Sequence, residues 1–212
     1  DVTNQNLDQF MLWYSQAGTP KVNVIEQYGE NTLTLDFEQI LPDNRTKKLK
    51  PMVIPISIGL LDENGIDLIE TKVFELKKPR DTLTFKGIEK KPTVSLLREF
   101  SAPVTIEREI TDQDRLTLLT KDSDAYNRWD ASQQLMLASF EKIAFQKQEP
   151  NDELINAFCQ IMQDEKLMPA FRAQLLSQPS ISEIIAHFFE NNLPIDPEMI
   201  YTAKKIFSQK LA

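Results

Sequence analysis

Two different spacings of apolar positions divide this chain. Up to about residue 109 the repeat is two residues long. Lys21-Val-Asn-Val-Ile25 and Thr32-Leu-Thr-Leu-Asp-Phe37 alternate apolar with polar, so Leu33, Leu35 and Phe37 share one face and Thr32, Thr34 and Asp36 the other, as half-buried strands require. Tyr28-Gly-Glu-Asn31 lies between them as a turn. Met52 to Leu61 is more continuously apolar and ends in the turn signal Asp62-Glu-Asn-Gly65. Pro55 lacks an amide hydrogen, which places that run at an edge or a bulge. Further strands are expected at 71–76, 82–85, 94–100 and 104–109. About seven short strands with no helical period between them predict an antiparallel β-sandwich.

From residue 110 the period changes to that of a helix. Trp129, Met136, Phe140 and Ile143 fall on one face, Leu154, Phe158 and Ile161 on a second, and Ile181, Ile184, Ile185 and Phe188 on a third. Start signals accompany them. Ser180-Ile-Ser-Glu183 is a capping box, Asn151 is placed to cap the segment from Leu154, and Asp196-Pro197-Glu198 sets an N-cap, a first-turn proline and an acid in order. Five or six helices joined by short loops predict stacked antiparallel pairs. The fold class is therefore α+β in two parts: a β-sandwich at 1–109, then an all-α stacked-helix segment at 110–212. All five glycines lie within the first 87 residues, which agrees with many short elements there and longer ones afterwards. The last helix runs almost to Ala212 without a cap and Asp1 is no natural initiator, so the chain is expected to be part of a longer one.

Charge and residue counts narrow the function more than the pattern does. Twenty-four basic against 32 acidic residues give a net charge of −8, which argues against a nucleic-acid partner. No apolar run reaches the roughly 18 residues that span a bilayer, so no membrane association is expected. The chain has one histidine, His187, and one cysteine, Cys159. One cysteine closes no intrachain disulfide, and one histidine excludes a two-histidine zinc motif such as H-E-x-x-H. Phosphate-binding and nucleophile-elbow glycine motifs are absent as well. No catalytic, cofactor-binding or metal-binding residue is assigned.

The remaining candidates each have an ordinary structural explanation. His187 has no ligand partner in its own helix and reads as a packed or partly exposed structural histidine. Cys159 shares a helix with Phe158 and Ile161 and reads as a small buried apolar residue. Arg45-Thr-Lys-Lys-Leu-Lys50, the one basic cluster, reads as a solvated loop. Asp122 and Asp124 are placed as caps for the following helix, and Asp164 and Glu165 lack the spacing of a calcium loop. The aromatic run Phe10-Met-Leu-Trp-Tyr14 fits two readings equally: a docking surface, or a short helix packed on the sandwich.

Four segments carry a resemblance. Leu7-Asp-Gln-Phe-Met-Leu-Trp-Tyr-Ser-Gln-Ala-Gly-Thr-Pro20, Ile54-Pro-Ile-Ser-Ile-Gly-Leu-Leu-Asp-Glu-Asn-Gly65, Leu97-Arg-Glu-Phe-Ser-Ala-Pro-Val104 and Asn127-Arg-Trp-Asp-Ala131 resemble, in order and spacing, the part of the bacterial aminopeptidase N family that follows its catalytic domain. The resemblance implies an immunoglobulin-like linker sandwich and the first helices of an armadillo-like domain that closes over the active-site cavity. It further implies a cytoplasmic parent enzyme that uses zinc to remove N-terminal residues from peptides. The family's zinc ligands and catalytic groups match no position here, so this portion is expected to be inactive and to have the catalytic domain of its own parent chain as partner, with peptides as the parent's substrates. A free-standing sandwich-plus-helix adaptor is the alternative, and a hydrolase using His187 or Cys159 is a third reading.

Overall fold

The computed structural model describes residues 6–42 and 49–211, which form two compact units, 1–110 and 111–212. In the first unit a short helix, α1 (Leu12–Ser15), precedes seven strands: β1 (Lys21–Gly29), β2 (Thr32–Ile40), β3 (Ile54–Leu61), β4 (Lys72–Leu76), β5 (Arg80–Lys86), β6 (Thr93–Leu96) and β7 (Thr105–Arg108). They make two sheets, ordered β5-β2-β1-β7 and β4-β3-β6. The period-two residues fill the space between them. Val22, Leu33, Leu35 and Phe37 from the first sheet and Ile54, Ile56, Ile58 and Leu60 from the second are at most 1% exposed. The rings of Phe37 and Phe74 stack across the core with centroids 5.0 Å apart.

Two expectations need correction. The first sheet is mixed, because β7 runs parallel to β1, with Val22 opposite Ile106. The chain arrives at β7 from β6, a strand of the other sheet, so it joins by a crossover rather than a hairpin, and a crossover permits the parallel direction. The strand expected over 94–100 stops at Leu96, since Leu97, Glu99 and Phe100 all take left-handed backbone angles, with φ of 58°, 58° and 51°. Non-glycine residues tolerate that region only where other contacts hold them in it. Here the holding contact is Arg98, which is 3% exposed and turns inward between β3 and the 62–71 loop. Its guanidinium donates to Ser95 Oγ (3.0 Å), Thr71 Oγ1 (3.0 Å) and Asp67 Oδ1 (2.6 Å). It lies flat on Gly59 of β3, where a Cβ would stand 2.0 Å from Arg98 Cζ. Pro55 fits beside this arrangement: β3 is the middle strand, yet β6 pairs with it only from Ile58 onward, so at Pro55 only β4 is paired.

The second unit contains α2 (Asp112–Lys121), α3 (Ala125–Gln146), α4 (Asp152–Gln163), α5 (Pro169–Leu176), α6 (Ile181–Glu190) and α7 (Pro197–Leu211). The 22-residue α3 touches α2, α5, α6 and α7, so the unit is organised around one long helix. Phe140, Phe158 and Phe207 form its aromatic centre, all fully buried, with Phe207 edge-on to Phe140 at 5.4 Å and to Phe158 at 6.1 Å. Ile184 and Phe188 are buried as their spacing predicts, but Ile181 is 58% exposed because it opens the first turn of α6, ahead of the packed part of that helix.

The capping signals are in place. Asp124 accepts from the Asn127 amide, Asn151 from the Glu153 amide and Asp196 from the Glu198 amide, each at 2.8 Å. At α6, Ser180 Oγ accepts from the Glu183 amide while Glu183 Oε2 accepts from the Ser180 amide. Hydrogen bonding to Ser180, first through its side chain and then its backbone, holds the Glu183 carboxyl below the ordinary glutamate range. A carboxylate with a depressed folded-state pKa adds stability above its unfolded value and loses it as pH falls through the folded one. Ser180→Ala is expected to cost about 1 kcal/mol at neutral pH and to weaken this acid-side dependence, since the amide of residue 180 still donates to Glu183. Thermal melts of both proteins between neutral pH and the acid range, with the gap narrowing as Glu183 protonates, check it.

Candidate functional site

The aromatic N-terminal segment is strapped to the sandwich by polar side chains. Gln9 Nε2 donates to the carbonyls of Pro51 (3.1 Å) and Lys77 (2.6 Å), and Trp13 Nε1 to that of Val53 (2.9 Å). Gln16 closes a reciprocal pair with Lys50, donating to its carbonyl at 2.9 Å and accepting from its amide at 2.6 Å. Positions 9, 13 and 16 share one helical face, a spacing legible in the sequence that the aromatic pattern overshadowed. The opposite side carries Leu7, Phe10, Met11 and Tyr14, which are 46–77% exposed, with Phe10 and Tyr14 in an edge-to-face pair at 6.2 Å. The packed-segment reading holds, and the docking reading has an exposed apolar row to rest on. Trp13 packs and bonds inward, while its neighbours form an apolar outer row held in a fixed place.

The titratable candidates stay apart. His187 lies on α6, 20% exposed, with Nε2 3.1 Å from Glu141 Oε2 on α3 and Nδ1 3.4 Å from Asn191. That environment is a helix-to-helix pair. Cys159 is half-buried on α4, more open than its apolar neighbours predicted, because positions 158 and 161 take the buried face and leave 159 to its margin. Asp124 caps α3, Asp122 Oδ1 accepts from the Asp124 amide at 2.9 Å, and Asp164 Oδ1 accepts from the Lys166 amide at 2.9 Å. Of the basic cluster, residues 45–48 lie outside the described residues. Among the described residues no three histidine, cysteine, aspartate or glutamate side chains converge as metal ligands would, and no helix is long and apolar enough to cross a membrane.

The second unit carries an open groove of about 730 Å³ between the C-terminal end of α3, the 147–150 loop and α7. Its lining is mixed, with Ile143, Ala144, Met199 and Ile206 beside the charged Lys147, Glu149, Glu198 and Lys210. Lys210 also bridges Glu149 (3.1 Å) and Asp152 (3.3 Å).

Comparison with known proteins places both units. Residues 18–109 match the DUF3458 domain of unknown function, described as an Ig-like fold, and residues 112–212 match its C-terminal companion, described as ARM repeats. The whole chain aligns with the aminopeptidase N of Escherichia coli K12 at 33% identity and with that of Caulobacter vibrioides at 33%. The chain belongs to the aminopeptidase N family. Within that family it corresponds to the C-terminal Ig-like and ARM-repeat region, as the four resembling segments implied. It spans about a quarter of the relatives it matches, 26% of the Escherichia coli protein and 25% of the Caulobacter one. Aminopeptidase N from Haemophilus influenzae aligns over 99% of the chain at 28% identity. The crystal structure of Legionella pneumophila aminopeptidase A in complex with aspartic acid superimposes on 99% of the chain with a TM-score of 0.85 and 27% identity, covering 24% of that protein.

Proposed function

We propose that these residues form a non-catalytic supporting region of a cytoplasmic zinc aminopeptidase. The sandwich holds the helical unit in position, and the helices bound the cavity in which short peptides lose their N-terminal residue. The region contributes geometry and exclusion of large substrates, and makes or breaks no bond itself. Its partner is the catalytic domain of the same parent chain, and neither nucleic acid nor membrane is engaged. One observation carries this reading: the chain matches aminopeptidases from end to end over only a quarter of their length, while holding one histidine, one cysteine and no H-E-x-x-H.

Zinc does not fit the residues present. A catalytic zinc needs about three protein ligands and an open position. The one histidine is engaged with Glu141, and the described residues offer no cluster of three ligand-bearing side chains. The metal of the parent enzyme therefore belongs to another part of that enzyme, and no chemical step runs through this region. The fixed outer row at Phe10 and Tyr14 would also suit a free-standing adaptor, so the test must separate the two.

An antibody raised against this chain, used on extracts of source cells, is expected to detect a species much heavier than 24.4 kDa that hydrolyses an alanyl anilide and loses that activity to a chelator. The isolated 212 residues are expected to show no hydrolysis with or without added zinc. A native band at 24.4 kDa overturns the aminopeptidase reading and leaves the adaptor. Hydrolysis by the isolated chain overturns the non-catalytic role.

A further inference from the structure

We infer that Asn64, in the turn after β3, is a site of self-modification. Its side-chain amide closes on the Gly65 backbone nitrogen, and the residue ends as isoaspartate or aspartate. The inference goes beyond the parent-enzyme reading and does not depend on it.

Sequence and geometry select this residue together. Asparagine is among the thermolabile residues, and its deamidation is fastest where the next residue has no side chain to crowd the attacking nitrogen. The chain has eleven asparagines, and Asn64 alone is followed by glycine. It is exposed, so water and hydroxide reach its amide. Gly65 stands at a φ of 83° and can leave that region for others without a Cβ clash, which lets the turn rearrange toward the attack geometry. The attacking nitrogen is held by one hydrogen bond, from Gly65 N to the Asp62 carbonyl at 3.0 Å. The Asp62 carboxylate accepts from the Asn64 and Ile66 amides, at 2.8 Å each. A solvent-exposed turn closed by so few bonds opens far more often than the sandwich unfolds.

The chemistry needs only water. Hydroxide takes the proton of the Gly65 amide, and the nitrogen attacks Asn64 Cγ. The bond from Cγ to Nδ2 breaks, and Nδ2 leaves as ammonia with a proton from water. Water then opens the five-membered imide at one of its two carbonyls. Opening at Cγ restores the ordinary main chain with an aspartate. Opening at the backbone carbonyl routes the main chain through Cβ and Cγ, which adds one methylene to it. Nothing is oxidised or reduced.

The turn is tied to the strained corner of the sandwich. Asp62 N donates to the Ile66 carbonyl (2.9 Å), Leu68 N donates to that of Leu60 (2.7 Å), and Leu61 pairs with Asp67. This pairing presents Asp67 to Arg98 at 2.6 Å, and Arg98 holds the left-handed angles at Leu97, Glu99 and Phe100. An extra main-chain atom at position 64 lengthens the turn and takes Asp67 out of that register. The modification therefore loosens the Arg98 brace as the protein ages.

The protein as it occurs in source cells is incubated at mildly alkaline pH without denaturant, and every asparagine is followed by peptide mass spectrometry. Asn64 is expected to convert at least tenfold faster than the other ten, with one ammonia released per conversion and a rate that rises with hydroxide. Methyl transfer from S-adenosylmethionine by an isoaspartyl methyltransferase reads the isoaspartate. Hydrogen exchange at the amides of 67 and 98–100 is expected to be faster in aged than in fresh protein. Asn64→Gln keeps the amide but cannot close a five-membered imide, so it is expected to stay unmodified and to keep its exchange rates. Conversion of Asn64 no faster than that of the other asparagines overturns the inference, as does conversion only after unfolding in urea. Conversion with unchanged exchange at 98–100 overturns the link to the Arg98 brace.

Discussion

Replacing Arg98 with methionine is expected to destabilise the sandwich by about 1–3 kcal/mol. The side chain is 4% exposed and bonded to Asp67, Thr71 and Ser95, and its loss takes a partner from the fully buried Ser95 hydroxyl while Asp67 and Thr71 reach solvent. The left-handed angles at Leu97, Glu99 and Phe100 then lose the contact that holds them, and their strain is released by unravelling toward β6. Gly59→Ala approaches the same point from the other side. Its methyl would meet the guanidinium at 2.0 Å, and overpacking of this kind costs about 1–3 kcal/mol. In a protein already carrying Arg98→Ala the added methyl has room, so the second substitution is expected to cost little. Urea melts of the four proteins in this cycle, with hydrogen exchange at β3 and β6 amides, measure the coupling. Strictly additive effects would show that the two residues do not share the site.

Phe207→Ala is expected to cost the helical unit about 3–5 kcal/mol. The ring is fully buried, meets both Phe140 and Phe158 edge-on, and fixes α7 to α3 and α4. No neighbouring side chain refills such a void without leaving its own rotamer. Tyr201 sits on the same helix at 68% exposure, so Tyr201→Ser is the matched control and is expected to change stability by less than about 0.5 kcal/mol. Thermal melts followed at the helical circular dichroism band check the pair. Equal effects of the two variants would mean that α7 is not seated through Phe207.

Local order was legible wherever a short-range rule decided it. Leu33, Leu35 and Phe37 are buried because alternation puts them on one face, and Ser180 caps α6 because its partner is three residues away. Long-range pairings left no such mark. The direction of β7 depends on which sheet the preceding strand occupies, and alternation over four residues carries no such information. Arg98 reads as a surface cation until Gly59, 39 residues earlier, is seen to leave it a flat place to lie. Gln39 is likewise an ordinary polar residue on an inward position until its amide is seen to bond the carbonyls of Met52, Leu76 and Lys78. That the chain has no two-histidine zinc motif followed from counting residue types. The strap ties of Gln9 and Gln16 were missed because glutamine carries no charge or aromatic signal that draws notice.

The parallel pairing of β1 with β7 also sets a timetable. β1 and β2 can close as a hairpin soon after they are made, but the other edge of β1 receives its partner only when Thr105 to Arg108 emerge, about 80 residues later. At synthesis rates of about 5–20 residues per second that edge stays open for roughly 4–16 s. An unpaired edge with Val22 and Val24 beside it is a template for pairing with another nascent chain. Until its seventh strand exists, the growing sandwich therefore carries an edge open to pairing with a neighbour.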